Sequence, residues 1–89
     1  MSDLGNKITV LVVDDSTIMR RILATALGKD PDISVIGFAS NGAEAIQAVK
    51  ELSPQAVTLD IEMPVMDGIA ALKEIRKFAP RLPVIMFST

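Results

Sequence analysis

The chain has 89 residues and a formal net charge of −2, so it is at most one domain and lacks the basic excess of a nucleic-acid-binding module. Half of the residues are hydrophobic (49%), too many for a disordered tail, and only 3% are aromatic, so the core must be aliphatic. The sequence contains no Cys and no His, which excludes disulfides and thiolate or imidazole metal sites. Any metal here must be held by oxygen.

The start of the chain, residues 1–6, is a polar tail without the apolar core of a signal peptide. No apolar run approaches the roughly 18 residues of a membrane span. The only local basic pair, Arg20-Arg21, lies in a helical pattern where one or both can face solvent. We therefore expect a cytoplasmic domain that contacts neither membrane nor nucleic acid.

Four apolar runs alternate with three helical patterns, and the first run spans residues 8–13, nearly all β-branched or Leu. Such a run suits a strand covered on both faces of a parallel sheet. Apolar residues at helical spacing follow, and Gly28 is placed to end that helix. The second strand, residues 33–39, is interrupted by Ser34 and Gly37, as an edge strand would be.

The second helix begins at a capping box formed by Asn41 and Glu44. A third strand is predicted over residues 56–59, and a third helix stops before Pro80. The fourth strand, residues 83–87, begins with a proline, which is acceptable at that position.

The order βαβαβαβ predicts an α/β fold with a doubly wound parallel sheet and right-handed crossovers. The chain stops directly after a strand that reads as buried, so we expect residues 7–89 to be a domain that is incomplete at its C-terminus. An uncovered fourth strand and first helix would favour self-association or poor folding.

Three carboxylates follow strand ends: Asp14 and Asp15 come directly after the first strand, and Asp60 directly after the third. If those strands are neighbours, the acids converge at the carboxyl edge of the sheet, where ligands bind in doubly wound folds. Clustered carboxylates repel one another unless a cation lies among them, and Mg²⁺ suits an all-oxygen site. The alternative is structural: Asp14 and Asp15 would cap the first helix, and Asp60 would be a loop acid.

In the loop after Asp60, the backbone carbonyl of Glu62 is a candidate metal ligand, while Asp67-Gly68 is typical of a turn and helix start. Beyond the fourth strand, the hydroxyls of Ser88 and Thr89 lie at the same edge of the predicted sheet. They either bond a phosphoryl oxygen or are ordinary turn residues.

Three segments together resemble the response-regulator receiver domain, and the similarity runs from Lys7 to the end of the chain. They are Leu11-Val12-Val13-Asp14-Asp15-Ser16, residues 59–68 and residues 83–89. The resemblance implies a flavodoxin-like fold with strand order 2-1-3-4-5, of which the fifth strand, its lysine and the last helices lie beyond this sequence.

The resemblance also implies the role of each site residue. Asp60 would accept a phosphoryl group from a histidine kinase and, with Asp15 and the Glu62 carbonyl, would hold Mg²⁺. Asp14 would support that site, and Ser88 would be the switch hydroxyl. Catalysis by the domain itself would be limited to its own phosphorylation and dephosphorylation.

Within the family, the Glu62-Met63-Pro64 loop and residues 85–89 look most like chemotaxis protein-glutamate methylesterases, which implies an output domain in the parent chain. Two alternatives stay open. A haloacid-dehalogenase-like Mg²⁺-dependent phosphatase fragment also uses a strand-end acid followed two residues later by another. A degenerate receiver would act only as a binding module.

Overall fold

The structure, a computed structural model, describes residues 7–88 and is built around the strand β1 (Ile8–Val13). Leu11, Val12 and Val13 are fully buried, as expected for a strand covered on both faces. The predicted tail at residues 1–6 and Thr89 lie outside the described residues.

The remaining elements follow in the predicted alternation. They are α1 (Thr17–Gly28), β2 (Ile33–Ala39), α2 (Gly42–Leu52), β3 (Ala56–Asp60), α3 (Gly68–Phe78) and β4 (Val84–Phe87). Two predicted boundaries shift by one residue: Asp60 ends β3 rather than following it, and Pro83 precedes β4. Across residues 7–88, no helix has the length and apolar character that a membrane crossing requires.

The four strands form one parallel sheet in the order β2-β1-β3-β4, which confirms the predicted doubly wound arrangement. β2 is an edge strand as predicted, and its register with β1 shifts beside Gly37, between the partners of Val10 and Leu11. Right-handed crossovers place α1 on one face of the sheet and both α2 and α3 on the other.

The main hydrophobic core lies between the sheet and the α2–α3 pair. Its buried members are Leu11, Val13, Ala39, Ala45, Val49, Val57, Leu59 and Ile75. No residue of α1, which the structure describes in full, is buried, and Ile18 is 70% exposed. On edge strand β4, Ile85 is also exposed. Self-association through these two surfaces stays a prediction.

The loop from residue 61 to residue 67 is closed at its end by the start of α3. The Gly68 N–H donates to the Ile61 carbonyl at 2.8 Å, and the Asp67 carboxylate caps the helix by accepting from the Ala70 N–H at 2.8 Å. A Cβ at Gly68 would collide with the backbone carbonyl of Asp60, so this position requires glycine. The structural reading of Asp67-Gly68 is thereby confirmed.

The start of α2 holds the same loop from its other side. The Gly42 N–H donates to the Met66 carbonyl at 2.8 Å, and a Cβ on Gly42 would lie only 2.6 Å from that oxygen. Asn41 caps α2 by accepting from the Glu44 N–H, as predicted, although the Glu44 carboxylate bonds Ser40 rather than the Asn41 N–H.

A γ-turn lies at the tip of the loop. The Met66 N–H donates to the Pro64 carbonyl at 2.7 Å, and Val65 between them has a φ of 69°. This left-handed conformation is unfavourable for a β-branched residue, and the Val65 side chain is 84% exposed, so little packing compensates for the strain.

Val65→Gly is therefore expected to raise the free energy of unfolding by about 1 kcal/mol, since glycine adopts a positive φ freely. Val65→Ala is the control, because it removes the same exposed branches but keeps a Cβ at a positive φ. Urea denaturation of both variants measures the difference. Equal stability of the two would contradict backbone strain at this position.

Candidate functional site

The three acids converge where two neighbouring strands end. Asp14 and Asp15 follow β1, Asp60 ends β3, and the two strands pair in parallel with Val13 opposite Leu59. One carboxylate oxygen from each acid lies within 4.8 Å of the other two. Asp14 and Asp60 are each only 1% exposed, whereas Asp15 faces solvent. The expected convergence is confirmed.

Asp14 is held firmly but keeps one oxygen free. Its N–H donates to the Ala39 carbonyl at 3.0 Å, and its Oδ1 accepts from the Ser16 N–H at 2.9 Å. Its Oδ2 is buried without a hydrogen-bond partner, a property shared between residues 7 and 88 only with Thr58 Oγ1. An unpaired buried carboxylate oxygen is costly unless a cation faces it.

The first helix is capped by a residue other than the acids. The Ser16 Oγ accepts from the Met19 N–H at 3.2 Å, and the first turn of α1 contains no acidic residue. The alternative in which Asp14 and Asp15 serve as N-cap and first-turn acid is therefore wrong. Neither carboxylate is used as the cap of α1.

Asp60 lies in an environment that disfavours its ionised form. Burial is the largest cause of a raised pKa, and the charges of Asp14 and Asp15 raise the Asp60 pKa further. The Glu62 N–H, which donates to Asp60 Oδ1 at 3.2 Å, acts in the opposite direction. Without a cation, the cluster is electrostatically unfavourable.

The two remaining predicted site residues lie at the same edge. The Glu62 side chain is exposed and is not part of the cluster that the three aspartates form. Ser88 is exposed and follows Phe87, whose carbonyl accepts from the Ile61 N–H at 3.0 Å beside the end of β3. The roles of the Glu62 carbonyl and the Ser88 hydroxyl stay predictions, and Thr89 lies outside the described residues.

Arg20 is a site residue that the sequence did not reveal. Its side chain turns back from α1 and donates to the Asp14 carbonyl at 2.7 Å. Nothing in the sequence distinguishes it from its neighbour Arg21, and both fit a solvent-facing helical position.

The residues present fit a magnesium ion. Every donor at the site is oxygen, two of the carboxylates are buried, and Asp14 Oδ2 has no competing partner. A small, hard cation that keeps several waters matches one exposed side of such a cluster. Asp14, Asp15 and Asp60 are the side chains that would hold it.

Asp60→Asn is expected to stabilise the metal-free protein by about 1 kcal/mol at neutral pH, because it removes one of three clustered charges. Since the folded-state pKa of Asp60 is raised, this gain should vanish below the ordinary carboxyl pKa, about 4, and grow as pH rises through the raised value. Denaturant melts across that range measure it. Asp32→Asn, at an exposed turn, is the control and should show no comparable gain.

Comparison with known proteins supports the geometry. The family described as the response regulator receiver domain matches residues 10–89. A protein-glutamate methylesterase/protein-glutamine glutaminase from Nocardioides sp. is 52% identical over 82 residues, covering 92% of this chain and 22% of that protein. Its counterpart from Pyrococcus horikoshii is 51% identical over 85 residues, covering 96% and 23%. The chain thus spans about a fifth of the length of these relatives.

Solved structures agree in fold. The response regulator domain of Thermotoga maritima CheB superposes with a TM-score of 0.89 at 51% identity, covering 92% of this chain and 60% of that one. A chain of the CheX–CheY–BeF3–Mg²⁺ complex from Borrelia burgdorferi gives a TM-score of 0.86 at 39% identity, covering 97% of this chain and 65% of that one. The fold, the acidic edge and these similarities lead to one conclusion: the chain belongs to the response regulator receiver domain family.

Proposed function

We propose that this domain is the phosphoacceptor of a chemotaxis response regulator and that Asp60 takes a phosphoryl group from a histidine kinase. The observation that carries the proposal is the convergence of Asp14, Asp15 and Asp60 within 4.8 Å at the end of two adjacent strands. This is an arrangement for an oxygen-bound cation beside a positioned nucleophile.

Asp60 is the acid best placed to be the nucleophile. It ends a buried strand, and the Glu62 N–H donates to its Oδ1, so the carboxylate has a defined orientation. A carboxylate oxygen of Asp60 forms the new bond to phosphorus while the phosphorus–nitrogen bond of the donor phosphohistidine breaks. The electron pair of that bond leaves with the imidazole nitrogen, and the product is an acyl phosphate on Asp60.

Asp14 and Asp15 would serve as metal ligands rather than nucleophiles. Bound Mg²⁺ would supply positive charge that keeps the Asp60 carboxylate ionised and offsets the charge of the phosphoryl oxygens. The amino-terminal end of α1 also directs the positive end of its dipole toward this edge. The Glu62 carbonyl is proposed as a further ligand.

Ser88 is proposed as the switch hydroxyl. It is exposed at the same edge, one residue beyond the strand partner of Asp60. Phosphorylation adds a charge of about −2 and strong hydrogen-bond acceptors, which a serine hydroxyl can turn to meet. Hydrolysis of the acyl phosphate by water would end the signal.

The relatives named protein-glutamate methylesterase/protein-glutamine glutaminase support a finer proposal about the parent protein. We propose that residues 7–89 are the receiver portion of such an enzyme, that a linked output domain responds to phosphorylation, and that the protein works in the cytoplasm beside its kinase. The haloacid-dehalogenase-like alternative is not supported, because it places the nucleophile after the first strand. The three convergent acids favour an active receiver over a degenerate one.

Asp60→Asn should abolish labelling of the parent protein by a small phosphodonor in the presence of Mg²⁺, because the amide cannot attack phosphorus. Intact-mass spectrometry of the wild type and the variant measures the label. Asp67→Asn is the control: it lies in the same loop and should still be labelled. A label mapped to Asp14 would overturn this assignment of roles.

Asp15→Asn should weaken Mg²⁺ binding by about tenfold or more, whereas Glu62→Gln should have little effect, because only the backbone of Glu62 is assigned to the metal. Calorimetric titration of both variants with Mg²⁺ tests the difference. Equal losses would show that the Glu62 carboxylate itself takes part.

A further inference from the structure

The Arg20 side chain is hydrogen-bonded to the backbone of the loop between β1 and α1, residues 14–16, which carries Asp14 and Asp15. Its Nη1 donates to the Asp14 carbonyl at 2.7 Å, and its Nη2 donates to Thr17 Oγ1 at 3.1 Å. Arg20 is half-buried, and its own N–H donates to the Ser16 carbonyl at 3.0 Å. The guanidinium therefore links the end of β1 to the first turn of α1.

These bonds complete the immobilisation of Asp14. The Asp14 N–H is taken by the Ala39 carbonyl and Oδ1 by the Ser16 N–H, which leaves the Asp14 carbonyl for Arg20. Oδ2 alone has no partner. Because three of the four hydrogen-bonding groups of Asp14 are occupied, the free oxygen Oδ2 is held at one defined position.

The charge of Arg20 is not used in an ion pair. Between residues 7 and 88 the structure contains one salt bridge, between Lys77 and Glu74 on α3. By donating to the Asp14 carbonyl, the guanidinium forgoes the electrostatically stronger bond that a carboxylate would offer. Its forked, planar geometry suits the simultaneous contacts with Asp14 and Thr17.

We propose that Arg20 is a positioning residue for the metal site, which holds the loop of Asp14 and Asp15 in the geometry that binds Mg²⁺. This inference rests on the proposed function, in which that metal supports phosphorylation of Asp60. In this role Arg20 would act through the Asp14 carbonyl and would not itself be a ligand of the metal.

A positioning role and a purely electrostatic role for Arg20 predict opposite changes in Mg²⁺ affinity when Arg20 is replaced. If Arg20 acted only as a nearby positive charge, its removal would strengthen binding of a cation to the acidic cluster. If it positions the loop, its removal weakens binding, as loss of a supporting contact to a metal ligand does. Arg20→Lys separates the two effects further, because lysine keeps the positive charge but lacks the planar guanidinium that contacts Asp14 and Thr17 together.

The experiment measures Mg²⁺ affinity of the full chain by calorimetry and by the shifts of the Asp14, Asp15 and Asp60 amide signals in NMR. We expect about tenfold weaker binding in Arg20→Met and a smaller but clear loss in Arg20→Lys. Arg21→Met is the matched control: it removes an equal charge from the next position, which is exposed, and should change affinity by less than about twofold.

Unchanged or tighter Mg²⁺ binding in Arg20→Met would overturn the inference. If Arg20→Met does not fold, Arg20→Lys decides, and wild-type affinity in that variant would overturn it equally. A wild-type chain that binds no Mg²⁺ would overturn the proposed metal site together with this inference. Normal wild-type binding with unaffected Arg20 variants would overturn this inference alone.

Discussion

The mutual repulsion of carboxylates at one edge of the sheet is the constraint around which the rest of the structure is arranged. Asp14 and Asp60 are buried beside each other because Asp14 follows β1, Asp60 ends β3, and these two strands are parallel neighbours. The fold holds them there with backbone bonds and caps, from Ser16, Ala39 and the Glu62 N–H, rather than with an ion pair. Such an arrangement is tolerable in isolation and favourable with a divalent cation.

Much of the fold was predictable because the spacing of apolar residues and the positions of turn residues indicate the same helices and strands. The bounds of β1 and β2 were predicted correctly, since β-branched runs and turn residues mark them on both sides. The convergence of the acids also followed, because carboxyl ends of parallel strands share an edge. The strand β3 ends one residue later than predicted, at Asp60, because its hydrogen bonding to β4 continues to the bond between the Ile61 N–H and the Phe87 carbonyl.

Other features of the site depend on tertiary geometry that leaves no local signal. Ser16 rather than an acid caps α1, and three successive residues in Asp14-Asp15-Ser16 are all good caps, so pattern alone does not choose among them. The turn of Arg20 back onto Asp14 requires a particular side-chain conformation. The positive φ of Val65 is contrary to the preference of its residue type, so no propensity argument finds it.

The hydrogen bond between Gly42 and Met66 is one of the contacts that link α2 with α3 and the loop before it. At the site end, α2 is joined to the loop that precedes α3, and at the opposite end Lys50 lies 5.1 Å from the centre of the Phe78 ring. Contacts thus join α2 to α3 and its preceding loop near both ends of the pair. Because the Gly42 N–H holds the Met66 carbonyl, the loop that precedes α3 is fixed to the start of α2 beside the acidic edge.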